Sequence, residues 1–199
     1  MIARDDITGL ILAGGRGSRM GGTDKGLQPL RGVPMAMHTL MRLSPQTGAM
    51  MINANRNLAA YESFGVPVYT DSVQDFAGPL AGMLAGLEQC QTGWMITAPC
   101  DTPFLPTDLV QRLASAIEAE GAEMAIPVTV DADGRRQTQP VFCLMPATAA
   151  DSLTAYLNGG GRKIETWVAS HRLAEVLFDD TDAFANINTL DELRTHDSR

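Results

Sequence analysis

The sequence predicts an α/β protein: a three-layer, doubly wound fold with a mostly parallel sheet and helices on both faces. Three observations predict it. Short apolar runs alternate with segments of helical periodicity through four or more units. A glycine-rich loop follows directly on the first apolar run. The polar residues that interrupt the apolar pattern fall where strands end, and in an open α/β sheet those carboxyl ends form the edge at which ligands bind.

The elements follow in order. Ile7–Leu12 is the first strand, and it breaks into Gly14-Gly15, with Gly21-Gly22 and Gly26 closing the loop. Glycines lack the Cβ that restricts φ/ψ, so this stretch forms no regular element and can lie close to a ligand with its N–H groups exposed. Residues 34–43 carry apolar residues at helical spacing behind a proline at a first-turn position. Residues 49–54 (AMMINA) make a second strand, ending at Asn53. A short helix over 58–64 leads through Gly65 to a third strand at 66–70, which ends at Asp71. Gly78-Pro79 opens a helix over 80–90, and residues 94–98 (WMITA) form the fourth strand, ending in Pro99-Cys100-Asp101-Thr102-Pro103. Pro106 and Asp108 begin an amphipathic helix to about residue 120. Past residue 126 an Asp-Ala-Asp-Gly turn at 131–134 separates two runs, 128–130 and 139–144, that read as a hairpin. A helix over 147–157, a short one after Gly159-Gly160-Gly161-Arg162-Lys163, and a strand at 173–178 follow. Thr189 caps a final helix.

Composition bounds the function. The 199 residues suit one well-packed domain, its second half, about 126–199, built onto the first, about 1–125. A formal charge of −8 argues against a nucleic-acid partner, so Arg16, Arg19, Lys25, Arg162 and Lys163 stand out against an acidic background. No signal peptide is readable in the acidic amino terminus. The apolar stretch at 76–87, broken by glycines and Pro79, is too short to span a bilayer. Cys90, Cys100 and Cys143, odd in number and without C-x-x-C spacing, suit reduced thiols in a cytoplasmic enzyme. His38, His171 and His196 are scattered and supply no metal cluster.

The loop after the first strand carries the chemistry. Exposed amides together with Arg16, Arg19 and Lys25 make a polyphosphate cradle. It is not a Walker A loop, because Lys25 stands between Asp24 and Gly26. It is not a dinucleotide fingerprint either, because Gly15-Arg16-Gly17-Ser18-Arg19-Met20 ends in methionine and the next strand lacks a terminal acid. Asp101, between two prolines just past a buried strand, is the candidate metal ligand. Mg²⁺ takes one or two carboxylates plus phosphate oxygens and keeps several waters, so one well-placed aspartate suffices. No Ser-His-Asp or Cys-His constellation is visible, which points to direct transfer onto an acceptor. A phosphate monoester acceptor, with a second pKa of about 6, is already largely dianionic and needs no general base. It needs charge neutralisation and in-line alignment, and attack on the α-phosphorus would release pyrophosphate.

Leu12-Ala13-Gly14-Gly15, Met20-Gly21-Gly22-x-Asp24-Lys25-Gly26, Asn53-Ala54-Asn55-Arg56, Gly78-Pro79-Leu80-Ala81-Gly82, Pro99-Cys100-Asp101-Thr102-Pro103 and Asn186-Ile187-Asn188-Thr189 together resemble the molybdenum cofactor guanylyltransferases of the MobA type. The resemblance runs from about residue 8 to 193. It implies a nucleotide-diphosphosugar-transferase-like, Rossmann-like fold. It also implies transfer of GMP from GTP to the phosphate of Mo-molybdopterin, with Mg²⁺ required. Position by position it implies a GTP site at Leu12, Ala13, Gly14, Gly15, Lys25, Asn53, Asp71 and Asp101, with Asp101 also the Mg²⁺ ligand. Arg19, Lys25 and Asp101 become the catalytic set. Asn53 and Asp71 would read guanine or hold the ribose. Arg162, Lys163, Asn186 and Asn188 are similar to the acceptor side.

The same resemblance implies GTP and molybdopterin as partners; a monomer is expected, in transient contact with other proteins of cofactor biosynthesis or delivery. Two alternatives stand beside it: a cytidylyltransferase acting on the same cofactor, and a non-catalytic relative that binds nucleotide or cofactor for a partner. Retention of both Lys25 and Asp101 speaks against the second.

Overall fold

The computed structural model describes residues 1–14, 24–73 and 78–187. Within them the expected alternation forms a three-layer α/β sandwich.

The first strand, β1 (Ile7–Leu12), is buried at all six positions, as a strand covered on both faces must be. After the loop a small antiparallel pair, β2 (Pro29–Leu30) and β3 (Val33–Pro34), precedes α1 (Met35–Leu43). Pro34 is the residue flanking that helix rather than its first turn: it is extended (φ −53°, ψ 138°) and completes β3. β4 (Ala49–Asn53), α2 (Leu58–Glu62) and β5 (Val68–Tyr69) follow. β5 is shorter than the 66–70 expected, because Pro67 has no N–H to give the ladder.

Next come α3 (Pro79–Gln89), β6 (Trp94–Pro99), α4 (Leu109–Glu120) and β7 (Met124–Val130). The hairpin is present, but its return strand is β8 (Arg136–Thr138), antiparallel to β7. Residues 139–143 turn away at Pro140, which cannot extend the ladder. The chain then re-enters the sheet as β9 (Leu144–Pro146), antiparallel to β6. α5 (Ala149–Asn158), α6 (Ile164–Val168) and β10 (Leu173–Phe178) complete the described chain.

The main sheet has the order β10-β7-β9-β6-β1-β4-β5, with β8 hanging on β7. β1 pairs in parallel with β4 on one side and β6 on the other. The chain leaves β1 toward β4 and β5, then crosses back over α3 to β6. That reversal puts a topological switch point beside β1, where the strand ends open into a crevice. Strands from both halves of the chain share this one sheet.

Alternation along β1 divides the core. Leu10 and Leu12 face α3, α5 and α6, whose Leu80, Met83, Leu84, Leu153, Ile164 and Trp167 cover that side. Ile7 packs under α4 and Ile11 under α1 and Tyr61 on the other. With both faces sealed, polar side chains can be presented only at the sheet's ends.

Candidate active site

The last peptide groups of β1 tie the carboxyl edge together. Ala13 N donates to Asn53 O at 2.8 Å, and Cys100 N donates to Leu12 O at 3.1 Å. The start of the loop, the end of β4 and the end of β6 therefore stand side by side.

Asn53, the last residue of β4, is only 2% exposed. Its Nδ2 donates to Asp71 Oδ1 at 2.8 Å and to Tyr69 O at 3.3 Å. Its Oδ1 faces two glycines. A Cβ built on Gly14 would lie 2.9 Å from that oxygen, and one built on Gly82 would lie 2.4 Å from it. The loop and α3 approach the amide this closely because neither residue carries a side chain. Asp71 follows β5, half-buried, and is held from the other side by Asn55, whose Nδ2 donates to Asp71 Oδ2 at 2.8 Å.

Asp101 lies just past β6 and is 8% exposed. Lys25 Nζ sits 3.3 Å from its Oδ2. A charge-assisted N–H···O bond is usually about 2.7–2.9 Å, so the two are close neighbours rather than a locked pair. Burial pushes the Asp101 carboxyl above its ordinary range, and the Lys25 ammonium pulls it back only in part. A carboxylate kept desolvated with a cation beside it is a costly arrangement, and such arrangements concentrate at functional sites. The carbonyl of Asp101 accepts Ile187 N at 2.9 Å. This bond brings Asn186 into the same edge.

Asp24 fixes the end of the loop from which Lys25 projects. It is 7% exposed, accepts Tyr61 Oη at 2.6 Å and Asn57 Nδ2 at 2.9 Å, and lies 3.6 Å from Arg56 Nε. Asn57 adopts the left-handed conformation (φ 53°) that asparagine tolerates better than most residues, which turns its amide back toward Asp24. Burial pushes the Tyr61 hydroxyl pKa up, so Tyr61 keeps its proton and donates. Tyr61→Phe leaves a buried carboxylate one partner short and is expected to cost about 1.5–3 kcal/mol of stability, read from urea denaturation. An unchanged midpoint would contradict the anchoring role.

Cys100, next to Asp101, is buried, and burial pushes its thiol up, with Asp101 and Asp24 adding to the effect. It stays protonated and is no nucleophile.

The candidate residues are thus distributed as follows. Leu12, Ala13, Gly14, Asn53, Asp71, Lys25 and Asp101 share the carboxyl edge around the switch point. Arg162 and Lys163 reach the same edge by another route: β9 runs opposite to β6, so α5 climbs back and ends there. Arg162 Nη1 donates at 3.0 Å to the carbonyl of Leu157 in the last turn of α5, a cation at a helix carboxyl end, while the Lys163 carbonyl accepts Tyr156 Oη at 2.9 Å. Gly15, Arg16, Arg19 and Asn188, with the helix expected after Thr189, lie outside the described residues. Asp24 with its partners, and the contact of Asn55 with Asp71, were not evident from sequence. The only signal was their membership of the Asp-Lys-Gly and Asn-Ala-Asn-Arg stretches.

Comparison with known proteins places this arrangement. The MobA-like NTP transferase domain family matches residues 9–176. The molybdenum cofactor guanylyltransferase of Cupriavidus metallidurans is 88% identical over 198 residues, covering 100% of this chain and 98% of that protein. The protein of the same name from Bordetella pertussis is 62% identical and covers 98% of each chain. Among solved structures, molybdopterin-guanine dinucleotide biosynthesis protein A from Archaeoglobus fulgidus superposes with a TM-score of 0.75 at 24% identity, covering 96% of this chain and 97% of that one. The 4-diphosphocytidyl-2C-methyl-D-erythritol synthase of Anaerococcus prevotii gives 0.75 at 13%, covering 96% of each. These two establish that the fold is shared with nucleotidyltransferases. The family match and the full-length relatives at 62–88% identity go further: the chain belongs to the MobA-like NTP transferase family, among its molybdenum cofactor guanylyltransferases.

Proposed function

We propose that this protein transfers GMP from GTP to the terminal phosphate of Mo-molybdopterin, giving the guanine dinucleotide cofactor and pyrophosphate. The observation that carries the reading is the meeting of Lys25 and Asp101, 76 positions apart in sequence, on the edge that also presents Gly14, Asn53 and Asp71. One domain binds both substrates, the nucleotide through about 1–125 and the acceptor through about 126–199.

Enzymes of this type use a divalent metal, and the donor set fits Mg²⁺. Among the described residues no cluster of three or more His, Cys, Asp or Glu forms a dedicated cage. A single buried carboxylate beside a phosphate loop suits an ion that takes its remaining ligands from phosphate oxygens and water. When bound, Mg²⁺ supplies charge neutralisation at the phosphates and at the leaving pyrophosphate.

The chain's own residues do the rest. Lys25, with Arg19 in the loop, neutralises the triphosphate and holds it in line. Gly14 and Gly15 let the loop backbone approach the nucleotide, and Leu12 and Ala13 present the strand end to it. Asn53 and Asp71 hold the base or ribose; a carboxylate can accept from the N1–H and amino groups of guanine, a pair that cytosine lacks. Arg162, Lys163, Asn186 and Asn188 bind the acceptor. An acceptor phosphate oxygen forms the new bond to the α-phosphorus. The bond from that phosphorus to the bridging oxygen breaks, and its electron pair leaves on pyrophosphate. No proton need be removed, because the attacking monoester is already dianionic.

Among the described residues no helix is long and apolar enough to cross a membrane. The free cysteines Cys90, Cys100 and Cys143 suit a reducing, cytoplasmic setting, and we infer a monomer in transient contact with the proteins that supply or collect its cofactor.

Pyrophosphate release from GTP with Mg²⁺ and Mo-molybdopterin tests the reading, with CTP in parallel. Release from GTP alone supports it. Faster release from CTP would make the protein a cytidylyltransferase, and no release with either would leave a binding protein. Lys25→Ala is expected to weaken GTP binding about ten- to a hundredfold through loss of a charge-assisted contact, measured by titration calorimetry. Unchanged affinity would count against the cradle.

A further inference from the structure

We infer that Asn55 is a positioning residue for Asp71, and that through it Asn55 sets the nucleotide selectivity of the site. The inference rests on the nucleotide role proposed for Asp71. β5 ends at Tyr69, so Asp71 lies beyond the last rung of the ladder on the sheet's outer strand. What fixes it is a pair of asparagines from the strand next door. Asn55 makes a two-way contact: its Nδ2 donates to Asp71 Oδ2 at 2.8 Å, and its Oδ1 accepts the backbone N–H of Asp71 at 2.9 Å. Asn53 donates to the other carboxylate oxygen at 2.8 Å.

A carboxylate has about four acceptor positions, two on each oxygen. One position on each oxygen is taken by an asparagine amide, so one remains on each, and the plane of the group is set from both sides. Two parallel acceptors of this kind match adjacent donors on a ligand, whether the N1–H and amino group of a purine edge or the two hydroxyls of a ribose. A half-exposed aspartate without these bonds would rotate among rotamers, and binding would have to freeze it. Asn55 also reaches the loop: a Cβ on Gly14 would lie 2.9 Å from its Nδ2, the same distance as from Asn53 Oδ1. Asn55 is itself exposed, so the core does not require its amide.

The test compares wild type, Asn55→Ala, Asn55→Asp and Asp71→Asn with GTP, inosine triphosphate and 2′-deoxyGTP, scored as ratios of kcat/KM, with a melting curve for each variant. Asp71→Asn identifies which ratio depends on the carboxylate: GTP over inosine triphosphate if it reads the base, GTP over 2′-deoxyGTP if it holds the sugar. Asn55→Ala is expected to lower that same ratio about three- to tenfold, leave the other ratio in place and leave the melting temperature near wild type. Asn55→Asp, which sets a second carboxylate against Asp71 Oδ2, lowers it further. If Asn55→Ala keeps the Asp71-sensitive ratio, or depresses all three nucleotides equally, the positioning role is wrong. If Asp71→Asn itself changes neither ratio, the nucleotide role of Asp71 fails and the inference falls with it.

Discussion

Asp101→Asn is expected to reduce nucleotidyl transfer about a thousandfold or more while leaving the fold intact. The substitution is isosteric, and it spares the backbone carbonyl that accepts Ile187 N, so the segment bearing Asn186 keeps its place. It removes the carboxylate charge that, in the proposed role, holds a cation against the phosphates. Charge stabilisation of that kind is worth several kcal/mol in the transition state, and each 1.4 kcal/mol or so is tenfold in rate. The stability change has the opposite sign. Burial raises the Asp101 carboxyl by more than Lys25 lowers it, so the ionised form is held at a cost that a neutral amide does not bear. The variant should therefore melt no lower than wild type. Near-normal turnover would refute the metal role, and a large drop in melting temperature would make Asp101 a structural residue.

Gly82→Ala is the second large effect, and local propensity predicts the wrong outcome for it. In the middle of a helix, alanine is better than glycine by about 1 kcal/mol. In α3 the added methyl would lie 2.4 Å from Asn53 Oδ1 and 2.8 Å from Leu12 Cδ2. Asn53 cannot yield without turning its amide away from Asp71 and Tyr69. A displacement of about 1 Å at such a point costs on the order of a hundredfold. kcat/KM for GTP should thus fall about a hundredfold with little net change in melting temperature, since helix propensity and overpacking oppose each other. Full kcat/KM in this variant would show that the approach of α3 to Asn53 does not matter.

How much of this was legible in the sequence varies with the range of the forces involved. β1, β4, β6 and α3 are continuous apolar or periodic runs ended by glycine, proline or asparagine, and their positions agree with the structure to within about two residues. Gly14, Asn53, Asp71 and Asp101 could be assigned to one edge because parallel strands put all their carboxyl ends on the same side. β9 was not legible as a separate strand. Three apolar residues carry no sign of direction, and only the non-local pairing of Leu144 with Ile96 and Ala125 decides that it inserts between β6 and β7. The Asp24 anchor was hidden for a similar reason. Its partners are a tyrosine 37 positions away and an asparagine in the left-handed region, and neither spacing has a periodicity to reveal it. The contact of Asn55 with Asp71 spans 16 residues between two strand ends, so it exists only once β5 has paired with β4.

A crystal of the protein grown with GTP and Mn²⁺ standing in for Mg²⁺ tests the central claim most directly. The account predicts an anomalous peak at the Asp101 carboxylate beside the triphosphate, with Lys25 on the phosphates and the guanosine against Asn53 and Asp71. A metal and triphosphate bound elsewhere, with Asp101 still facing only Lys25, would contradict it.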